Sequence, residues 1–330
     1  ACLVQAYPGR LVLDVVRPYL CPAVQVRQRP AAASAETVVV TLEPSILLSL
    51  SLLAVLGVGL IPLGVHLGFR APRVRARGSP ADLGLDYETV RIPTLRGRSL
   101  SGWLLPSPRS ACTVVCLHGW GSNAELMLPI ALPLHRAGIK VLLFDARNHG
   151  ASDSDSFSSL PRFAEDLGRA VAWLRREQTD RAGRIVVLGH SVGAAAALFE
   201  ATRNPYIAAI VSIGAFADPD QLTERYLARL HLPRPVVLLV TRYVEWVIGH
   251  RFASIAPVNT IRGVRCPVLL VHGGADRTVP IDDARRIAAA GDPSRVRLLE
   301  IAGAGHDSAD RIEQHAGALL DFLQPACSRG

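Results

Sequence analysis

Ile185-Val186-Val187-Leu188-Gly189-His190-Ser191-Val192-Gly193-Ala194-Ala195-Ala196-Ala197-Leu198 joins an apolar run to a run of small residues through a glycine-flanked serine. The first run reads as a buried strand, branched and without polar interruption. The last reads as a helix, because alanine has the highest helix propensity. A strand passed directly to a helix needs a sharp turn, and Ser191 stands at its apex. That turn forces the apex residue into a strained backbone conformation, which the flanking glycines accommodate by having no side chain to clash. The serine hydroxyl then stands clear of the sheet, near the positive end of the following helix.

Three further segments fall in a telling order along the chain. His118-Gly119-Trp120-Gly121 follows the strand-like Thr113-Val114-Val115-Cys116-Leu117. Asp276 lies just after Pro267-Val268-Leu269-Leu270-Val271-His272, and His306 just after Val296-Arg297-Leu298-Leu299-Glu300-Ile301. From Asp82 onward strands and helices alternate. Tyr87 to Pro93 and Ser99 to Leu105 read as a first hairpin, with Arg96-Gly97 in its turn. Strands follow at 113–117, 140–144, 184–188, 207–213, 267–271 and 296–301, with helices around 124–137, 161–177 and 192–203. Repeated β-α units imply a mainly parallel sheet covered on both faces. Ligands in such sheets bind at the carboxyl ends of the strands, where Ser191, Trp120, Asp276 and His306 all fall.

In these features the chain resembles the α/β-hydrolase superfamily, most closely its small esterase, lipase and serine-aminopeptidase-like members, from roughly Asp82 to Leu323. Asp145-Ala146-Arg147-Asn148-His149-Gly150 and Pro267 to Gly273 are similar to strand-end loops of that family. The resemblance implies an α/β fold: a mainly parallel eight-stranded sheet, helices on both faces and a small helical cap. It also implies roles, since the order Ser, Asp, His is that of this fold. Ser191 is the expected nucleophile and His306 the base. Asp276 is the acid that orients the base, with Asp218 and Asp220 as alternatives. The backbone N–H groups of Trp120 and Val192 are the expected oxyanion hole. Asp145 and Arg147 read as a loop cap with a paired arginine rather than a substrate site. Asp307 reads as a surface residue, and His118, His149, His190 and His272 as poorly placed to act as the base.

Ala217 to Arg262 interrupts the alternation and reads as the cap. Most of the apolar residues in Leu230 to Ile248 are expected to pack on the domain. The alternative is a lid that lines an acyl pocket or touches lipid.

Ser45 to Phe69 holds no Asp, Glu, Lys or Arg and is dominated by Leu, Ile and Val. At about 1.5 Å per residue such a helix exceeds the roughly 30 Å hydrocarbon core of a bilayer. Acidic Glu36 and Glu43 precede it; Arg70, Arg73, Arg75 and Arg77 follow it. The expectation is an uncleaved single-pass anchor with the N-terminus outside and the catalytic domain in the cytoplasm. The chain then divides into a poorly ordered segment 1–44, a transmembrane helix 45–69, a basic linker 70–81 and a hydrolase domain 82–330 with its cap at 217–262.

The net charge of +8 is almost all arginine spread along the chain, with Lys140 the single lysine. An excess so scattered says little about partners, and no nucleic-acid partner is expected. The cysteines Cys2, Cys21, Cys112, Cys116, Cys266 and Cys327 show no metal-ligand spacing, and Cys112, Cys116 and Cys266 read as buried free thiols. No phosphate loop, metal cluster or dinucleotide fingerprint is present, so no metal and no cofactor is expected. The sequence points to a membrane-anchored serine hydrolase, carboxylesterase- or lipase-like, acting on a small-molecule or lipid-like acyl ester. Peptidase, amidase or thioesterase activity would use the same residues. A non-catalytic tethered binding protein is the reading from a different class.

Overall fold

The structure is a computed structural model that describes residues 3–7, 10–14, 25–26, 40–41, 43–108, 110–177, 184–228 and 230–327, with side chains from Glu43 onward except at positions 50, 53–56, 58, 61, 309 and 310. Two compact units are formed, Ala1–Gly64 and Val65–Gly330.

In the first unit, Leu3–Tyr7 pairs antiparallel with Arg10–Asp14, and Gln25–Val26 with Val40–Thr41. These short pairs lie in the segment 1–44 expected to lack regular structure; most of that segment is outside the described residues. Helix α1 runs Pro44–Gly68, matching the expected helix within a residue at each end. Among the described residues no helix is long and apolar enough to cross a membrane.

The second unit holds an eight-stranded sheet. Its strands are β1 (Glu88–Pro93), β2 (Ser99–Leu105), β3 (Cys112–Leu117), β4 (Lys140–Phe144), β5 (Arg184–His190), β6 (Ile207–Ile213), β7 (Val268–Gly273) and β8 (Val296–Ile301). The order across the sheet is β8-β7-β6-β5-β3-β4-β2-β1. The β1–β2 and β2–β4 pairs are antiparallel and the rest parallel. The β1–β2 turn falls where the sequence places it: Arg96 and Gly97 both adopt positive φ, 60° and 68°.

Central strands of a parallel sheet are covered on both faces, so they read as unbroken apolar runs. Strand β3 fits: all six residues are buried. Val115 and Leu117 enter one core layer with Phe163 and Leu167 of α3 (Leu160–Glu177) and Ala197 of α4 (Val192–Ala201). Val114 and Cys116 enter the other layer, with Leu134 of α2 (Leu128–Arg136). Each buried Val or Leu contributes about 1.5–3 kcal/mol over an exposed one, so the two layers fix the sheet and the loops at its carboxyl edge.

Cap helices α5 (Pro219–Ala228) and α6 (Arg234–Ile248) occupy the expected insertion. α7 (Ile281–Ala290) follows β7, and α8 (Ala316–Cys327) closes the described chain. The structure corrects one expectation here. Cys112 is not a free thiol: it is bonded to Cys327, 215 residues away. The fold brings the start of β3 against the end of α8, a proximity that cysteine spacing does not reveal. Cys116 and Cys266 remain free. The second compact unit includes the stretch 70–81. Arg73 Nη1 donates to the Ser152 carbonyl (2.8 Å), and the backbone N–H groups of Arg77 and Gly78 donate to Glu125 (2.9 Å each).

Candidate active site

Ser191 sits between β5 and α4 with φ 54° and ψ −117°, a conformation that costs an ordinary residue free energy and must be held in place by its surroundings. Its N–H donates to the Ile213 carbonyl of β6 (2.8 Å). A Cβ on Gly189 would fall on the Gly193 carbonyl, and one on Gly193 would fall on the carbonyls of Leu117 and His118. The turn can therefore be this tight only with glycine at both places.

The loops after β7 and β8 bring two more side chains to the serine. His306 Nε2 lies 3.0 Å from Ser191 Oγ, and His306 Nδ1 lies 2.7 Å from Asp276 Oδ2. Asp276 is itself fixed: its Oδ1 accepts from the N–H groups of Thr278 and Val279, 2.8 Å each. Oδ2 is thereby left to the histidine, which donates from Nδ1 and presents the lone pair of Nε2 to the hydroxyl. Burial pushes the Asp276 carboxyl up, but hydrogen bonds from His272, His306 and Val279 outweigh it and hold the group well below the usual carboxylate range. Asp218 and Asp220 do not join this set. Asp218 Oδ1 accepts the N–H of Asp220 (2.9 Å) at the start of α5.

The four histidines set aside as bases, His118, His149, His190 and His272, hold the frame. His190 Nε2 donates to the His306 carbonyl (2.9 Å), fixing the loop that carries the base. His272 Nε2 donates to the Val279 carbonyl (2.8 Å) and lies 3.4 Å from Asp276 Oδ2. His118 Nδ1 donates to the Gly119 carbonyl (2.7 Å), while His149 Nε2 accepts from the N–H of Gly121 (3.1 Å). The loop carrying Trp120 is thus gripped on both sides by neutral imidazoles. Burial pushes each of these two down to about 4. Sequence reading set these histidines aside as bases and missed their supporting contacts. Their positions at strand ends, beside the loops in question, were the available signal.

Asp145 and Arg147 are structural, as expected. Asp145 accepts from the N–H groups of Ala124 (2.7 Å) and Ala151 (2.8 Å). Arg147 pairs with Asp166 (2.7 Å), Glu165 (2.7 Å) and Asp155 (3.1 Å). His190, His306 and Asp307 have donor atoms within 4.8 Å of one another, the only group among the described residues that approaches a metal-ligand set. Both His306 ring nitrogens already face Asp276 and Ser191, and His190 Nε2 faces the His306 carbonyl.

Ser191 stands between two cavities. One, of about 380 Å³, is walled by Phe69, Trp120, Leu160, Phe216, Leu222 and Phe252. The other, of about 470 Å³, lies on the His306 side, against Leu126, Pro129 and Ile130. Trp120 and Val192, the expected oxyanion donors, both border the first cavity beside Ser191. The Trp120 indole meets Phe69 edge-on at 6.3 Å between ring centroids. Gly68 and Phe69, the last two residues of the long apolar run, therefore belong to the cavity wall. Nothing in the motif pattern pointed to them.

Residues 114–321 match the Alpha/beta hydrolase family. The chain is 30% identical over 238 residues to an uncharacterized protein of Mycobacterium tuberculosis, spanning 71% of this chain and 77% of that one. It is 30% identical over 139 residues to the polyketide transferase af380 of Aspergillus fumigatus, covering 41% of this chain and 48% of the relative. Among solved structures, the esterase Pf2001 of Pyrococcus furiosus superposes with a TM-score of 0.65 at 26% identity, over 78% of this chain and 99% of that one.

Proposed function

The chain belongs to the alpha/beta hydrolase family, and on that premise we propose that it cleaves carboxylic esters through an acyl-serine intermediate. Ser191 is the nucleophile, His306 the base and Asp276 its orienting acid. The observation that carries this reading is the pair of hydrogen-bonding distances, 3.0 Å and 2.7 Å, linking the three side chains.

A serine hydroxyl is a weak nucleophile until its proton is taken as it attacks. His306 Nε2 takes that proton and returns it to the departing alkoxide. Asp276 keeps the ring in the tautomer that does this and stabilises the imidazolium. The carbonyl oxygen, negative in the tetrahedral intermediate, accepts from the N–H groups of Val192 and Trp120, each worth roughly 3 kcal/mol of barrier. Water, activated by the same histidine, then releases the acid. The cavity walled by Phe69 and Phe216 suits an acyl chain, and the cleft on the His306 side suits the alcohol. Likeness to an esterase supports ester over amide cleavage.

Turnover of p-nitrophenyl esters of increasing acyl length, beside matched anilides, tests the reading. Ester hydrolysis that disappears in Ser191→Ala supports it. Anilide turnover faster than ester turnover would replace it with an amidase.

Membrane attachment through Ser45 to Phe69 belongs to the same proposal. Its support is the uncharged run, helical over Pro44–Gly68, with Leu47, Leu48, Leu52, Leu60, Leu63 and Leu67 exposed. Protein released from cell membranes by alkaline carbonate would contradict an integral anchor.

A further inference from the structure

Among the described residues outside α1, the exposed large apolar side chains are few, and most of them lie on the cap. There Tyr226, Leu230, Leu238, Leu239 and Trp246 are all more than half exposed, and Trp246 reaches 75%. Single exposed apolar residues need no explanation, but a contiguous group rimmed by polar residues marks an interaction site.

Helix α6 organises the group. Its exposed positions are Arg234, Pro235, Leu238, Leu239, Arg242 and Trp246, recurring every three or four residues and so lying along one face. The opposite face buries Thr241, Val244 and Glu245. The helix thus has its packed face inward and a second face of leucine, tryptophan and arginine directed to solvent. The exposed positions include no acid. Glu245 is 8% exposed; it accepts from Arg242 Nη1 and Arg251 Nη1 (2.8 Å each) and from the Phe252 N–H (2.8 Å). The two guanidinium groups remain 64% and 68% exposed, so two cations share one buried carboxylate and Arg234 adds a third.

This composition fits one kind of partner. Leucine and tryptophan enter the boundary between headgroups and acyl chains, while arginine stays level with the phosphates. A second copy of this chain fits less well: across a two-fold axis the same face meets itself, setting the arginines of one copy near those of the other. The patch also adjoins the candidate acyl cavity. Ile248, two residues after Trp246, lines that cavity, as do exposed Tyr226 and, on another wall, Phe69.

We propose that the outward face of α6, with Leu230 and Tyr226, seats in the headgroup region of an anionic bilayer and presents the acyl cavity to lipid. The substrate class is then an ester resident in the membrane rather than dispersed in water, a clause that rests on the reading of Ser191 as nucleophile.

The test uses the full chain in vesicles of phosphatidylcholine and phosphatidylglycerol, with and without brominated acyl chains. The difference in fluorescence between wild type and Trp246→Phe isolates Trp246. The proposal expects that signal to shift to the blue in vesicles and to lose more than half its intensity to the brominated lipid. The shift should weaken in phosphatidylcholine alone. This readout needs no catalysis, so it stands or falls apart from the esterase reading. An attached α1 does not produce it either, because it reports the cap alone. A Trp246 signal equally solvent-accessible with and without vesicles overturns the proposal. So does one shielded without lipid as protein concentration rises, which would identify a second copy as the occupant. A paired activity measurement uses Leu238→Ser/Leu239→Ser. The kcat/KM for a vesicle-borne long-chain ester should fall roughly tenfold or more, through lost interfacial contact, while that for a dispersed short-chain ester stays unchanged. Equal loss on both substrates would mean that the two leucines act on the fold and would count against the proposal.

Discussion

Asp276 Oδ2 stands 2.7 Å from His306 Nδ1, while its other oxygen is held by two backbone N–H groups. The carboxylate therefore acts as a fixed acceptor that determines which ring nitrogen carries the proton. Asp276→Asn keeps the shape but offers an amide where the ring needs an acceptor, and the opposite tautomer follows. Ester turnover should fall about 10⁴-fold. Circular dichroism should stay unchanged. A loss of less than tenfold would show that another acid orients the base.

The cavity beside Ser191 sets a limit on acyl length. Each methylene it buries contributes about 0.8 kcal/mol, so kcat/KM should climb about fourfold per carbon until the cavity is full. Leu222→Trp narrows the wall. It should move the break in that climb to shorter chains and leave the acetate ester nearly untouched. A break at the same length in both proteins would place the acyl chain elsewhere.

His118 and His149 carry a pH-dependent share of stability. Burial lowers both to about 4 from an ordinary value near 6.5. Between those values the unfolded chain binds more protons than the folded one, so stability rises with pH there. Their contribution is complete above about 6.5 and is lost as pH falls toward about 4. Urea midpoints for wild type and His149→Gln should therefore converge as the pH drops from 7 to 4.5. Parallel curves over that range would contradict a neutral, buried His149.

The Cys112–Cys327 bond bears on compartment as well as stability. Bonds of this kind persist where the environment is oxidising, whereas the arginines after α1 gave the sequence-based expectation of a cytoplasmic domain. Protein trapped with an alkylating reagent straight from cells should leave this pair unmodified, and Cys327→Ser should cost about 2–4 kcal/mol. Complete alkylation without reductant would mean that the pair is reduced where the protein resides, as the arginines would have it.

Much of the fold was legible because parallel-sheet strands are continuous apolar runs. The strands Lys140–Phe144, Ile207–Ile213 and Val296–Ile301 have the bounds of their runs. The three side chains that the structure brings together were legible for a different reason: each sits at a strand's carboxyl end, in an order set by the topology. What was not legible depends on contacts between distant segments. Cys112 meets Cys327 across the whole domain, Phe69 reaches a cavity whose other walls include the distant Trp120, Phe216 and Phe252, and the hydrogen bond between His149 and Gly121 joins two separate loops. Most of the apolar residues from Leu230 to Ile248 were expected to pack on the domain, with a lid touching lipid as the alternative, and the sequence did not say which of them, such as Leu238, Leu239 and Trp246, stay exposed. An apolar stripe gives the period of a helix but not which side finds a partner.

The central claim is that Ser191 is an activated nucleophile, and labelling with a fluorophosphonate probe tests it without knowledge of the natural substrate. The probe forms a covalent bond only with a serine whose proton can be taken. The account expects folded wild-type protein to be labelled, and Ser191→Ala and heat-denatured protein to stay unlabelled. Folded wild-type protein that remains unlabelled, or Ser191→Ala labelled as strongly as wild type, would contradict it.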